Sequence, residues 1–195
     1  MANLPLTKMA RYFDRVLKLA GILFFILISS NFCWAASDSP RWQLVTFLNQ
    51  NRIYTLRDYA GWLQKNVHYQ SDASKDQWAD PLETISKHAG DCEDFAFLSA
   101  AIVEVFGYQP HVIAVGSGKN AHAICVFKYQ NVYYAFDNNQ FNNTRQITLE
   151  KLVFALAKSQ KAEFVLELSR KPKNIQPLYV LNKSGESVMM GGMDH

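Results

Sequence analysis

The stretch KHAGDCEDFAFLSAA, residues 87–101, places one cysteine between carboxylates where a loop turns into an apolar helix. Asp91 is suited to cap that helix and Gly107 to end it, so Cys92 becomes the first helical residue. The helix dipole favours a thiolate at this position, whereas the neighbouring carboxylates oppose it. A buried structural cysteine has no use for acidic neighbours, so the stretch indicates a thiol with a chemical role.

The composition of the 195-residue chain is that of an ordinary globular protein, with 49% apolar and 19% charged residues. This length suits one domain with a full hydrophobic core. The net charge of +3 arises entirely within residues 1–36, and the rest of the chain carries as many acidic as basic residues. No basic stripe remains for a nucleic acid, and no haem, flavin or nucleotide motif is present.

Residues 1–36 have the pattern of a signal peptide. A basic region precedes the apolar run LAGILFFILI and then CWAAS, in which Cys33 and Ala35 supply the small residues of a cleavage site. The pattern favours cleavage, and the alternative is an uncleaved N-terminal anchor, which would be the chain's contact with the membrane. Either way we expect the globular part outside the cytoplasm, periplasmic or secreted.

Helical patterns come first in the remaining chain and strand patterns follow. Helical spacing covers residues 42–50, 55–69, 82–90 and 91–107, strand-like runs cover residues 111–117, 121–129, 132–139 and 162–168, and a further helix starts at Thr148. This order predicts an α+β domain over residues 37–170. The C-terminal tail, residues 171–195, is left unassigned.

A nucleophilic Cys92 needs a base and a group that orients the base. His122 lies in a predicted strand, and Asp137 lies in the next strand. If Gln130 and Asn131 form a two-residue turn, Asp137 falls on the same sheet face as His122, one diagonal step away. A three-residue turn would send Asp137 to the opposite face, so this pairing depends on strand register.

Two cysteines remain after the signal peptide, Cys92 and Cys125, and in an oxidising compartment such a pair suggests a disulfide. Cys125 is an odd number of residues from His122, so the two side chains point to opposite faces of the strand. If His122 faces Cys92, Cys125 is expected not to. A Cys92–Cys125 bridge and a Cys92–His122 pair are therefore competing models.

The segment WADPLETISKHAGDCEDFA at residues 78–96, together with AHA at 121–123 and AFD at 135–137, resembles the transglutaminase-like superfamily of papain-fold enzymes. Within it, the chain is most similar to the bacterial transglutaminase-like cysteine peptidases. The resemblance implies a papain-like core in which the nucleophile begins a helix that packs on an antiparallel sheet. It also implies that Cys92 is the nucleophile, His122 the base and Asp137 the orienting group.

That branch includes calcium-dependent periplasmic proteases that release biofilm adhesins, and acidic residues beside their cysteine are implicated in calcium binding. The matching residues are Asp91 and Glu93, so the resemblance implies a Ca²⁺ site there. A second explanation requires no cofactor. Asp91 would cap the helix, while Glu93 and Asp94 favour the dipole and face solvent.

The expected activity is that of an exported cysteine peptidase or amide hydrolase that acts through a thioester acyl-enzyme. Its partner would be a protein or peptide substrate, such as a cell-surface or periplasmic protein. The alternatives are acyl transfer to an amine, a non-catalytic transglutaminase-like binding module, and a small disulfide-bonded domain. The backbone N–H of Cys92 is the expected oxyanion donor, and Trp78 is expected to pack rather than to line the site.

Overall fold

The computed structural model describes residues 39–72, 77–170, 173–181 and 187–189. The predicted signal peptide, residues 1–36, lies outside these ranges. The chain divides into two compact units, Met1–Gln43 and Leu44–His195. In the first unit the described residues form the start of helix α1, where the N–H of Trp42 donates to Oγ of Ser39 at 3.2 Å. The elements that follow α1 all belong to the second unit.

The predicted helices and strands appear in the predicted order, and the described residues contain five further strands that the sequence did not predict. The helices of the described ranges are α1 (Pro40–Gln50), α2 (Leu56–Asn66), α3 (Pro81–Lys87), α4 (Cys92–Val105) and α5 (Leu149–Gln160). The strands are β1 (His68–Tyr69), β2 (Ala89–Gly90), β3 (Pro110–Ser117), β4 (Asn120–Tyr129), β5 (Val132–Asp137), β6 (Gln140–Asn143), β7 (Phe164–Arg170), β8 (Lys173–Leu181) and β9 (Ser187–Met189). The predicted α+β class is confirmed.

One large antiparallel sheet organises the second unit. Its strands follow the order β6-β5-β4-β3-β7-β8-β9, and β1 and β2 form a separate parallel pair. Strands β8 and β9 come from the tail that the sequence left unassigned, and β8 pairs with β7 along nearly its whole length. The sheet therefore continues past Arg170.

The β4–β5 hairpin fixes the register on which the site depends. Gln130 and Asn131 have φ values of 47° and 66°, which are the positive values of a two-residue type I′ turn. Tyr129 consequently pairs with Val132, and Cys125 pairs with Phe136. The register predicted from the sequence is confirmed.

Helices cover both faces of the sheet. On one face α4 packs over β3, β4 and β5, and its residues Leu98 and Ile102 are completely buried. On the other face α5 buries Leu152 and Val153. Burial of apolar surface on both faces is the main favourable contribution to folding. In the described part of the chain, none of the helices combines the length and apolarity of a membrane span.

Side-chain caps are present at the starts of α2, α3 and α4, as they are at the starts of α1 and α5. Thr55 and Asp58 form a reciprocal capping box at α2, and Asp80 and Glu83 form one at α3. At α4, Oδ1 of Asp91 accepts the N–H of Asp94 at 3.3 Å. Each cap satisfies N–H groups that have no partner inside the helix.

Phe127 is a direct test of the sheet's α4-side core, because its buried ring stacks on Phe136 and Phe141. Phe127→Ala is expected to lower the free energy of unfolding by about 3–5 kcal/mol, because it leaves a cavity. Phe154 of α5 is 51% exposed, so Phe154→Ala should change that free energy by only about 0.5 kcal/mol. Denaturant titration measures both, and equal losses would contradict this description of the core.

Candidate active site

Cys92 occupies the first position of α4, as the sequence predicts, with Asp91 as the N-cap. The cysteine is 7% exposed and belongs to the apolar core on the α4 side of the sheet. Its thiol donates a hydrogen bond to Oε2 of Glu93 at 2.9 Å. The backbone N–H of Ala123, in strand β4, hydrogen-bonds the sulfur. The thiol therefore lies against the strand residue that follows His122.

The surroundings of Cys92 hold its thiol in the protonated form. Burial, the hydrogen bond to Glu93 and the charges of Glu93 and Asp91 raise its pKa to about 12, and the N–H of Ala123 lowers it only partly. An acceptor carboxylate stabilises the thiol and opposes the thiolate. Burial is the largest of these causes, and the acidic neighbours identified in the sequence act in the same direction.

Asp91 and Glu93 are two neighbouring acids whose negative charges oppose each other. Burial and then the charge of Glu93 raise the pKa of Asp91 to about 7, and the two carboxyl groups also hydrogen-bond each other. Two carboxylates this close cannot both ionise without cost. Within the part of the chain that is described, no group of three or more His, Cys, Asp or Glu side chains is arranged to hold a metal ion.

Asp94 corrects the expectation that it faces solvent. The residue is 6% exposed, and its Oδ1 accepts the N–H of Ala79 at 2.7 Å. Burial raises the pKa of Asp94, while hydrogen bonds from the backbone N–H groups of Ala79 and Asp91 lower it. The expectation failed because the bond partner lies 15 residues away, and helix-end rules describe only neighbours along the chain.

His122 and Asp137 meet as the hairpin register predicts. His122 Nε2 lies 2.6 Å from Oδ1 of Asp137, and the two side chains are 29% and 46% exposed. The hydrogen bond to Asp137, opposed by burial, raises the pKa of His122, and the charge of Glu93 contributes in the same direction. With Nε2 bonded to the carboxylate, Nδ1 is the nitrogen left to exchange a proton with a thiol.

The cysteines are both free and buried, so the disulfide model does not describe this structure. Cys125 lies in the same α4-side core as Cys92, and alternation along β4 puts His122 on the opposite side of the strand, as the sequence predicts. The expected exclusion of Cys125 from the face of Cys92 applied only if His122 faces Cys92, so the shared core of the two cysteines does not contradict it. Cys125 is covered by α4, whereas Cys92 lies at the helix end, near the start of β4.

The structure brings the predicted residues to one end of β4, in two bonded groups. Cys92 bonds with Glu93 and with the backbone of Ala123, and His122 bonds with Asp137. Among the described residues, the hydrogen bonds of Cys92 do not include the imidazole. Sequence reasoning missed the Ala123 contact, since no side-chain pattern reports a backbone donor. Trp78 packs on the ring of Phe97, with centroids 5.0 Å apart, as expected of a packing residue.

The raised pKa of His122 makes its bond with Asp137 testable by pH. Asp137→Asn should lower the pKa of His122, which an NMR titration of its ring protons measures directly. Because the pKa of His122 is raised, protonation of His122 stabilises the fold. This stabilisation is complete below the ordinary pKa of about 6.5 and is lost as pH rises through the raised pKa. The difference in unfolding free energy between wild type and Asp137→Asn should therefore shrink as pH rises, and an unchanged His122 titration in Asp137→Asn would contradict the pairing.

Two solved structures show a distant similarity to this chain. Calcium-bound LapG of Legionella pneumophila is 20% identical, with a TM-score of 0.40, and the match covers 69% of this chain and 67% of LapG. A candidate cysteine protease of Cytophaga hutchinsonii is 17% identical, with a TM-score of 0.36, and the match covers 70% of this chain and 45% of that protein. These likenesses are too distant to carry a functional argument. A search of curated proteins found no match.

A family model gives the stronger result. The model described as a transglutaminase-like domain matches residues 40–164, which include Cys92, His122 and Asp137. The match spans more than half of the chain, and it agrees with a helix-borne cysteine packed on an antiparallel sheet. The chain belongs to the transglutaminase-like family.

Proposed function

We propose that this protein is an exported cysteine peptidase or amide hydrolase with Cys92 as nucleophile, His122 as base and Asp137 as orienting group. The observation that carries the proposal is the 2.6 Å bond between His122 and Asp137, at the end of β4 where the Cys92 thiol contacts Ala123. A binding module has no need of an imidazole oriented by a carboxylate at the end of a strand that contacts a helix-borne thiol.

The reaction follows from the roles of these groups. His122 removes the proton of the Cys92 thiol, and the sulfur attacks the amide carbonyl. As the C–N bond breaks, His122 returns the proton to the leaving amine, which leaves a thioester. Water then attacks the thioester while His122 takes a proton from it, and the carboxylic acid and the free thiol are released. The N–H of Cys92, at the start of α4, is suited to stabilise the oxyanion.

The resting contact between Cys92 and Glu93 has to be broken before the first step. The thiol donates to Glu93 at 2.9 Å, so the imidazole gains the proton only after that carboxylate turns away or is neutralised. Loss of the contact would remove one of the causes that raise the pKa of Cys92. Activation of this enzyme therefore consists first of relieving the negative charge at the start of α4.

A calcium ion at Asp91 and Glu93 is one way to relieve it. The two carboxyl groups are close enough to hydrogen-bond each other, and carboxylate oxygens are the ligands that calcium prefers. The pair fits as part of a ligand set, with the remaining oxygens to come from backbone groups or water. A bound cation would supply positive charge that favours ionised carboxylates and a thiolate.

Export and a protein substrate complete the proposal. The signal-peptide pattern of residues 1–36 supports a periplasmic or secreted enzyme. An amide within a cell-surface or periplasmic protein would then be the substrate. Acyl transfer to an amine uses the same thioester, so an assay with an added amine distinguishes transglutaminase activity from hydrolysis.

Removal of the Glu93 charge should activate the thiol. Glu93→Gln is expected to lower the pKa of Cys92 and to raise its rate of alkylation by iodoacetamide at neutral pH by about tenfold for each unit by which that pKa falls. Glu83 is a matched control, because it holds the third position of α3 and its side chain is 48% exposed. If Glu83→Gln and Glu93→Gln react alike, Glu93 does not control the thiol.

The catalytic assignment is tested by alkylation of Cys92 with iodoacetamide between about pH 5 and about pH 9, in the presence of either calcium or EGTA. With calcium, Cys92 should react well below its ordinary pKa of about 8.5, and His122→Ala should abolish this reactivity while His68→Ala retains it. Hydrolysis of a protein substrate should follow the same pattern. A Cys92 that reacts like an ordinary thiol, indifferent to His122, would refute the proposed function, and an unchanged rate with EGTA would refute the calcium site alone.

A further inference from the structure

Three helices carry a carboxylate at their third position, and the one in α4 has an additional partner. Asp58 of α2 and Glu83 of α3 each accept a hydrogen bond from the N-cap backbone of their own helix. Asp94 of α4 likewise accepts the backbone N–H of its N-cap, Asp91, and it also accepts the N–H of Ala79 at 2.7 Å, 15 residues earlier in the chain. Its carboxylate thus links the start of α4 to a second segment.

The surroundings of Asp94 fix its side chain toward Ala79. Asp91 already accepts the N–H of Asp94, so the Asp94 carboxylate is not required for that cap. A Cβ added at Gly90 would lie 2.6 Å from Cβ of Asp94 and 2.9 Å from Oδ2, so only glycine leaves room for this arrangement. The carboxylate is buried, and such an acceptor requires a donor.

The segment that Asp94 holds, residues 77–80, carries Trp78 and leads into α3. Trp78 packs on Phe97 in the second turn of α4, and Asp80 caps α3. The bond from Asp94 to Ala79 lies between these two attachments, and Asp94 is only two residues from Cys92 on the same helical turn. The segment is thereby tied to the turn of α4 that carries the nucleophile.

We propose that Asp94 is a positioning residue, whose carboxylate holds residues 77–80 as a wall of the substrate cleft beside Cys92. The substrate cleft belongs to the proposed function, on which this inference rests. The attachment of residues 77–80 to α4 rests on the hydrogen bond between Asp94 and Ala79. Without that acceptor the N–H of Ala79 loses its partner, and the wall with Trp78 is free to move. A displacement of about 1 Å in such a wall is enough to slow a reaction substantially.

The test compares Asp94→Ala, which removes the acceptor, with Asp94→Asn, which keeps an acceptor oxygen in the same place. Asp58→Ala serves as the matched control, since it removes a third-position carboxylate from α2 without touching residues 77–80. Two quantities are measured in each protein. One is the hydrogen-exchange rate of the Ala79 amide, and the other is the ratio of Cys92 labelling rates by a peptidyl reagent, benzyloxycarbonyl-Phe-Ala chloromethyl ketone, and by iodoacetamide.

In Asp94→Ala, the Ala79 amide should exchange at least about tenfold faster, and the labelling ratio should fall by about tenfold. Iodoacetamide should label Cys92 of Asp94→Ala at the wild-type rate, because this small reagent does not have to bind in the cleft. Asp94→Asn should restore both quantities, and Asp58→Ala should change neither. The positioning role would be overturned if the Ala79 amide of Asp94→Ala exchanged at the wild-type rate. It would also be overturned if the amide exchanged faster but the labelling ratio stayed at the wild-type value.

The two proposals fail in different ways. If His122→Ala leaves iodoacetamide labelling of Cys92 unchanged, the proposed catalytic set is refuted, regardless of the result for Asp94→Ala. If labelling depends on His122 but the labelling ratio is the same in Asp94→Ala and wild type, only the positioning role is refuted. A fall in the ratio for Asp94→Asn as large as for Asp94→Ala would also overturn it, because charge rather than the hydrogen bond would then be the cause.

Discussion

The register of the β4–β5 hairpin is the constraint on which the candidate site depends. Because side chains alternate between sheet faces, a slip of one residue would move Asp137 to the face opposite His122. The type I′ turn at Gln130 and Asn131 prevents that slip, since its backbone twist matches the flanking strands. Burial on both faces reinforces it, because a slipped β5 would exchange Phe136 with side chains suited to the other face. The imidazole is therefore oriented by the same forces that form the sheet.

A second constraint acts at the start of α4, where stability and reactivity conflict. Carboxylates favour the positive end of a helix, so Asp91 and Glu93 help α4 to begin. Burial, with the Glu93 hydrogen bond and these same charges as smaller causes, raises the pKa of Cys92 to about 12. A sequence selected for helix stability alone would have no cysteine there, and one selected for a thiolate alone would have no acids. Their combination is the reason for the proposal that the reactivity of Cys92 depends on a change in local charge.

Local sequence patterns predicted most of the fold, and they failed where the deciding partner is distant. Capping residues and apolar spacing predicted α4, and the Gln130–Asn131 turn predicted the pairing of His122 with Asp137. The burial of Asp94 was missed because its partner is the backbone of Ala79, and backbone donors have no signature in the sequence. The common core of Cys92 and Cys125 was not predicted, because alternation assigns a strand face without showing which part of α4 lies above each residue.

The three acids beside Cys92 show why one motif need not have one role. Asp91 accepts a backbone N–H of its own helix, Glu93 accepts the thiol proton, and Asp94 accepts a backbone N–H from another segment. Of the three acids, only Glu93 bonds the sulfur directly. Glu93 also hydrogen-bonds Asp91, the N-cap of α4, so a change at Glu93 acts on the thiol and on the helix start together. The bond of Asp94 to Ala79 does not involve Glu93.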